Sequence, residues 1–434
     1  MTPLNSRVQS IYYNKRMPMF GCQQILLKPN KELRAVLEYI CQESNKLHNC
    51  AVYYARQIYF KARTFVRPFD VINALKRNPH YGALCAQAAQ QTCGAVGESV
   101  KSFKGLIELF WEGKLENKPK FPGYRTPGGF HLIAYPKQAL GKKLVDGQIS
   151  IPLGQKVTTW FGLKNFQVPM PTNLDYADIR EIRILPRNGC FYAEFVYKTA
   201  SFQTAVDNQK ALGIDHGISN WLTCVSNSGT SLIIDGKHLK SVNQWYNKRV
   251  AALMEGKHNG FWSHQLARLT QKRNRRMRDA VNKAARLVVN HCIKNGIGVI
   301  VFGWNKRQKD SASMGKKTNQ QFVQIPTARL KNRIAQLCEQ YGIKFIETEE
   351  SYTSKASFVD RDFLPKIGEK PDGWKETGRR VKRGLYRTSA KNWYINADCN
   401  GAANILRKVE TMLGLDLNGV CRGVLTAPSR ITFW

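Results

Sequence analysis

Ten residues, Ala211–Asn220 (ALGIDHGISN), constrain this chain more than any other stretch. Leu212 and Ile214 alternate with Gly213, Asp215 and Gly217, the period-two pattern of a strand with one apolar face. An acid flanked on its own face by two glycines is unusual, because glycine weakens a strand interior and marks the close approach of a ligand or another backbone. Two further strands are predicted at Trp221–Ser226 and Ser231–Ile234, with the turn between them carried by Asn227-Ser228-Gly229. The expectation is three strands in hairpin order with a bare carboxylate in the first. Taken alone, Asp215 reads equally well as a turn cap at a strand end or as a ligand for a divalent ion. Acids elsewhere in the chain decide between them.

Charge narrows the partners. Lys and Arg total 67 against 31 Asp and Glu, a formal charge of +36, and such an excess calls for a polyanion, of which nucleic acid is the usual one. The basic residues are spread over several folded segments instead of one amphipathic helix, which argues against a membrane surface. A chain of 434 residues with 43% hydrophobic content is expected to form two to four globular units. It has no apolar run of membrane-spanning length, and MTPLNSRVQS lacks a signal-peptide core. The expectation is an intracellular, cytoplasmic protein, nucleoid-associated when bound to DNA, with no membrane partner. Eleven cysteines include no CxxC pair, so buried reduced thiols and no structural zinc are expected.

In chain order, Met19–Leu27 reads as a strand and the residues from Glu32 to Tyr54 as a helix capped by Asn30. Helices at Val71–Lys76 and Ala83–Phe110 complete a helical unit. The loop Lys118–Gly129 (KPKFPGYRTPGG) interleaves basic groups with Phe121 and Tyr124. It fits a linker, or a platform on which Tyr124 stacks a base and Arg125 holds a phosphate. His131–Tyr135, Gln148–Pro152 and the hairpin Glu181–Leu185/Cys190–Lys198 about Asn188-Gly189 join the first strand in a predicted small β-barrel. Beyond the third strand of the second half, His264–Lys294 is a helix. Its cations include Lys272, Arg273, Arg275, Arg276 and Lys283, with few acids between them, which favours a phosphate backbone alongside. A buried strand at Ile297–Phe302, a helix at Gln321–Tyr341, a strand at Lys344–Glu350, an irregular basic insertion at Ser351–Tyr394 and a helix at Ala397–Lys408 follow.

That order of elements, with GIDHGI in the first strand, TSK at Thr353–Lys355 and NADCNGAANIL at Asn396–Leu406, resembles the TnpB family of transposon-associated, RNA-guided nucleases, which are related to type V CRISPR effectors and to Fanzor proteins. The resemblance implies an α/β multidomain protein: an RNase H-like (RuvC) mixed sheet with helices, plus an N-terminal wedge β-barrel split by a helical recognition unit. The implied boundaries are 1–30 and 117–205 for the wedge, 31–116 for the recognition unit and 206–350 with 395–420 for RuvC. Residues 351–394 form a target-nucleic-acid-binding insertion, and 421–434 a tail. In such a site carboxylates from distant parts of the chain hold two Mg2+ ions about 3.5–4 Å apart.

Asp215 matches the family's first-strand acid, and Asp398 the acid of its last-helix block, with Asn400 and Ala402 at the expected offsets. Two departures stand out. The fourth strand ends Val301-Phe302-Gly303-Trp304-Asn305, where most relatives carry a Glu. Glu350, three residues before Thr353, resembles the relocated glutamate of Fanzors and some TnpB proteins, and is preferred to Glu347 and Glu349 on the other strand face. The zinc-binding CxxC of many relatives is replaced by Ala356-Ser357-Phe358-Val359-Asp360, leaving Arg379, Arg380, Lys382 and Arg383 of the insertion to hold nucleic acid without a metal. The implied function is a guide-RNA-directed endonuclease on double-stranded DNA, with the guide coming from the transposon end. The missing fourth-strand acid keeps a nuclease-inactive RNA-guided DNA binder as the alternative. A general RNA-binding protein would explain the charge and not the three blocks, and the split barrel and TSK argue against a DDE transposase.

Overall fold

Apolar stripes of period 3.6 and period two follow one another along the chain, and the elements form where those stripes lie. The computed structural model describes residues 19–141, 144–305 and 325–432. The chain divides between Ala200 and Ser201 into two units, each with its own core.

The first unit opens with β1 (Met19–Leu26) and α1 (Lys31–Ala62), where the Asn30 side chain accepts the Leu33 N–H at 2.8 Å as an N-cap. Then come α2 (Pro68–Leu75), α3 (Ala86–Trp111), β2 (Ile133–Pro136), β3 (Gln148–Pro152), α4 (Gln155–Phe161), β4 (Asn165–Pro169), β5 (Ile179–Arg187) and β6 (Cys190–Thr199). The β5–β6 turn places Asn188 at φ 53° and Gly189 at φ 70°, the left-handed pair that an Asn-Gly hairpin requires. The expected barrel does not close. Among the described residues, four strands form an open antiparallel sheet in the order β1-β6-β5-β2, while β3 pairs only with β4. The reason is a strand missed in the sequence: Phe166 and Val168 of β4 alternate inward, and β4 takes up the pairing edge of β3.

The second unit is a six-stranded mixed sheet. It is built from β7 (Asp207–His216), β8 (Asn220–Ser226), β9 (Ser231–Asp235), β10 (Ile297–Gly303), β11 (Lys344–Thr348) and β15 (Ser429–Ile431), in the order β11-β10-β7-β8-β9-β15. β7 to β9 are antiparallel, and β10 runs parallel to both β7 and β11. On one face, Leu212, Ile214 and Phe302 pack with α6 (His264–Lys294) and α7 (Thr327–Tyr341). On the other, Ala211, Val299 and Val301 pack with α8 (Ala397–Arg407).

The strand predicted over Ala211–Asn220 ends at His216, and Gly217–Ser219 turn the chain into β8. α5 (Lys237–Met254) was not anticipated; only Leu239, Val242 and Asn243 of it are buried, too thin a stripe to read. The insertion expected to be irregular contains a three-stranded sheet: β12 (Arg379–Lys382), β13 (Leu385–Arg387) and β14 (Tyr394–Asn396). Residues 321–324 of the helix expected at Gln321–Tyr341 lie outside the described residues. All eleven cysteines are free thiols; Cys22 and Cys421 are exposed, contrary to the expectation of burial. No helix of the described residues is long and apolar enough to cross a membrane.

Candidate active site

Glycines decide where α8 lies. A Cβ on Gly213 would stand 2.4 Å from the Ala402 carbonyl oxygen, so only glycine lets the helix rest on this face of β7. Two residues further along the same face comes Asp215, and a Cβ on Gly401 would fall 2.9 Å from its Oδ2. Asp398 sits in the first turn of α8, where the helix dipole favours an anion and Asn396 caps the N–H groups of Asp398 and Cys399 at 2.9 and 3.1 Å. Asp215 and Asp398 line one cavity of about 260 Å3 together with Ser219, Asn220, Arg380 and Arg383. The two oxygens of Asp398 have different partners: Asn220 Nδ2 donates to Oδ2 at 2.7 Å, and Arg380 Nη2 donates to Oδ1 at 3.1 Å.

Glu350 lies just past the end of β11, not within the strand as expected. Its N–H donates to Asn305 Oδ1 at 3.1 Å, and its carbonyl accepts Thr353 Oγ1 at 2.8 Å. The TSK segment is tied down by two buried asparagines of α8. Asn400 Nδ2 reaches the Ala356 carbonyl at 2.8 Å, and Asn404 Nδ2 reaches the carbonyls of Thr353 and Ala356 at 2.9 and 2.7 Å. Gly303, at the acid-free end of β10, faces the same region: a Cβ there would meet Ile405 Cδ1 at 2.4 Å and Glu350 Oε2 at 3.2 Å. A side chain on Gly303 and the Glu350 carboxylate therefore compete for one space. The neighbouring acids are committed elsewhere, Glu347 to Lys331 at 2.5 Å and Glu349 to Lys408.

Burial pushes the Asp215 carboxyl well above the usual carboxylate range. The charges of Glu350 and Asp398 push it further, against a smaller pull from Arg380 and the His216 N–H. Three carboxylates without nitrogen or sulfur donors fit a hard divalent cation such as Mg2+. Gly303 and Gly401 leave room beside Glu350 and Asp215 respectively. As the side chains stand, no group of three or more His, Cys, Asp or Glu among the described residues is arranged to hold a metal ion.

The residues assigned to nucleic acid divide. Tyr124 is 53% exposed with the Arg56 guanidinium 5.5 Å from its ring centre, and its loop is pinned by Asn49, which pairs with both backbone groups of Arg125 at 2.8 and 3.0 Å. Lys272, Arg275, Arg276 and Lys283 are exposed on α6, Lys283 pairing with Asp279 at 2.8 Å. Arg273 is different: it is half-buried and donates twice to Asn243 Oδ1 at 2.9 and 2.8 Å, joining α6 to α5. Arg379, Arg380 and Lys382 lie on the exposed strand β12, and Arg383 donates to Ser219 Oγ at 3.1 Å. Sequence reasoning missed Asn220, Asn305 and Asn404, and named Asn400 only as an offset in its block without its role in holding the TSK segment. Asn404 stands in the same NADCNGAANIL block, which was the available signal.

Comparison with known proteins agrees with this reading. Residues 194–309 match the family model OrfB_IS605, described as a probable transposase, and residues 328–405 match the Cas12f1-like TNB domain. Among solved structures, the chain is similar to a Cas12f1–sgRNA–target DNA complex at 15% identity and a TM-score of 0.49, covering 87% of this chain and 83% of that one. It is similar to the mini-RNA-guided endonuclease CRISPR-Cas_phi3 at 10% and 0.44, covering 90% and 92%, and to crRNA-bound CasPhi-2 at 10% and 0.39, covering 93% and 99%. None reaches 0.5, so the family models carry the assignment. No curated protein matches the sequence. The first family match contains GIDHGI, and the second contains Glu350, TSK and Asp398. The parts of the chain that carry these blocks match these two family models, and the resemblance read from the sequence is borne out.

Proposed function

We propose that this chain is the RNA-guided DNA endonuclease of a transposon, cutting double-stranded DNA beside a short flanking motif. The observation that carries the reading is the desolvated Asp215 carboxyl in the joint field of Glu350 and Asp398, acids drawn from three separate parts of the chain. Like-charged groups are held together at such cost where a cation is to be bound. The order β11-β10-β7-β8-β9 supports an RNase H-like (RuvC) sheet, with the first-strand acid on its central strand. Guidance by RNA rests on the resemblance to TnpB and on the charge of +36.

Asp215, Glu350 and Asp398 are the residues that would hold Mg2+, which when bound supplies an activated water and stabilisation of the leaving oxygen. The protein's own part is positioning. Asn220 fixes the carboxylate plane of Asp398, Gly303 leaves room for Glu350, and Asn400 and Asn404 anchor the segment that follows it. In this reading residues 31–116 and the strands on either side of them bind guide and target, and the insertion at 351–394 feeds the strand to be cut. A nuclease-inactive, RNA-guided binder is the second reading, favoured by the acid-free end of β10 at Gly303-Trp304-Asn305. Purified protein with its guide RNA, incubated with target plasmid and Mg2+, separates the two. Linearised plasmid supports the nuclease, and a stable complex with intact plasmid supports the binder.

A further inference from the structure

We propose that Arg380 is a built-in counter-ion for the acidic site, occupying Asp398 Oδ1 until a divalent cation displaces it, while Asn220 is a positioning residue that holds Oδ2 throughout. The inference rests on the metal-centre reading above and adds a competitor to it.

The two contacts on Asp398 differ in kind. Asn220 is the first residue of β8, so its amide is carried by the sheet itself, at 2.7 Å. It is neutral, and a neutral donor orients a carboxylate without cancelling the charge that attracts a cation. Arg380 brings a full positive charge to 3.1 Å from the other oxygen, and that charge also acts on Asp215. The Arg380 and Asp398 side chains keep 47% and 28% of their surface exposed, and an ion pair so open to water is weak and exchangeable.

The arm that carries Arg380 is able to leave. Among the described residues β12 is an edge strand that pairs only with β13, and all four of its residues are exposed. β13 stays behind: Tyr386 is buried and donates to the Lys355 carbonyl at 2.8 Å, and β13 pairs with β14, which runs directly into α8. Gly384, at φ 80°, supplies the turn between arm and anchor. The arm has a second latch, Arg383 to Ser219 Oγ at 3.1 Å, on the turn that precedes Asn220. Displacing β12 thus breaks its short ladder with β13 and two exposed side-chain contacts, and uncovers no buried apolar side chain of its own.

The test is Mn2+ affinity, measured by electron paramagnetic resonance on full-length, RNA-free protein. Arg380→Ala and Arg380→Gln are expected to bind Mn2+ about tenfold more tightly than wild type, within the usual span of coupling between two sites. Lys375→Ala, which removes an exposed cation of the same insertion, is expected to change the affinity by less than twofold. Asn220→Ala is expected to weaken binding, because Asp398 is then without its orienting donor. Equal affinities for wild type and both Arg380 variants, or the same tightening in Lys375→Ala, overturn the counter-ion role. Asp215→Asn separates this failure from that of the parent reading. If it leaves Mn2+ binding intact, the metal centre is wrong; if it abolishes binding while the Arg380 variants match wild type, only the counter-ion is wrong.

Discussion

Two groups of carboxylates lie in the second unit, and the protein treats them in opposite ways. Asp360 and Asp362 are saturated with donors. Asp360 accepts from Ser357 Oγ at 2.6 Å, the N–H groups of Ser389 and Ala390 at 2.7 and 2.9 Å, and Thr377 Oγ1 at 3.3 Å. Asp362 accepts from the Ser357 N–H at 2.7 Å and from Thr377 Oγ1 at 2.6 Å. Burial alone would raise the Asp360 carboxyl, but these hydrogen bonds outweigh it and hold the group below its ordinary value. Asp215 is buried too, yet beside its backbone contact it faces two other acids, and its carboxyl is pushed up. The first group ties residues 357–362, 377 and 389–390 together. The second gathers like charges that Arg380 offsets in part. Burial raises both, far more for Asp215, and only Asp360 has the donors that outweigh it.

Removing a group from each side is the strongest way to break this contrast. Asp215→Ala and Asp398→Ala are expected to lower target cleavage by about a thousandfold or more, with guide-RNA affinity nearly unchanged, because the deleted oxygens hold ions and not phosphate. A plasmid-linearisation time course with an RNA-binding control checks both halves. Normal cleavage by Asp215→Ala would falsify the active-site assignment.

Next in size is the choice among three neighbouring glutamates. Glu350→Gln, which keeps shape and loses charge, is expected to abolish cleavage as fully as Asp215→Ala. Glu349→Gln is expected to keep activity within about tenfold, its role being the ion pair with Lys408. Equal losses in the two variants would mean that the whole segment, and not one carboxylate, is being disturbed.

The sequence made the acids legible and left their surroundings obscure, for physical reasons. Gly213 and Asp215 announced themselves because a strand interior rarely carries glycine without something pressing on it, and α8 is what presses. Choosing Glu350 over Glu347 and Glu349 relied on strand alternation. Glu350 itself lies beyond the strand, and its neighbours Glu347 and Glu349 are bound to Lys331 and Lys408. Asn220 and Arg380 were not readable as partners of Asp398, because that contact joins a β-turn, an inserted hairpin and a helix start that no local pattern relates. The barrel failed for a similar reason: β4 is five residues long, and without it β3 had no partner to be assigned.

The saturated pair predicts a change in stability instead of activity per site. Asp360→Ala removes the acceptor shared by buried Ser357 and by the exposed Thr377, Ser389 and Ala390 and is expected to cost about 1 kcal/mol, a few degrees in the melting temperature of this unit. Its pH dependence has a definite sign. The folded-state value of Asp360 is depressed, so its contribution is complete above the ordinary carboxylate value of about 3.9 and disappears as pH falls through the lower folded value. Melting curves from pH 6 to 3 are expected to show wild type and Asp360→Ala converging toward the acid end. Elemental analysis of the same wild-type sample is expected to give well under one zinc per chain; a stoichiometric zinc that survives dialysis would mean that this network is not what ties the insertion together.

The smallest expected effects concern α6, and they turn on the same distinction between committed and uncommitted charge. Lys272 and Arg276 are exposed, Lys272 with its ammonium 5.9 Å from the Trp245 ring centre, whereas Arg273 is half-buried and engaged with Asn243 of α5. Neutralising Lys272 or Arg276 is expected to weaken nucleic-acid binding a few-fold, about equally for all sequences. It is also expected to make the slope of log affinity against log salt shallower by roughly one unit for each phosphate that no longer meets a cation. Arg273→Ala is expected to behave otherwise. Its guanidinium is desolvated, so removing it strips Asn243 of two hydrogen bonds and lowers the melting temperature, while the salt slope stays that of wild type. Salt titrations by fluorescence anisotropy on the three variants, with a melting curve for each, make the comparison. A slope change for Arg273→Ala equal to that of Lys272→Ala would show that it faces phosphate after all, and that the α5–α6 contact gives way when nucleic acid binds.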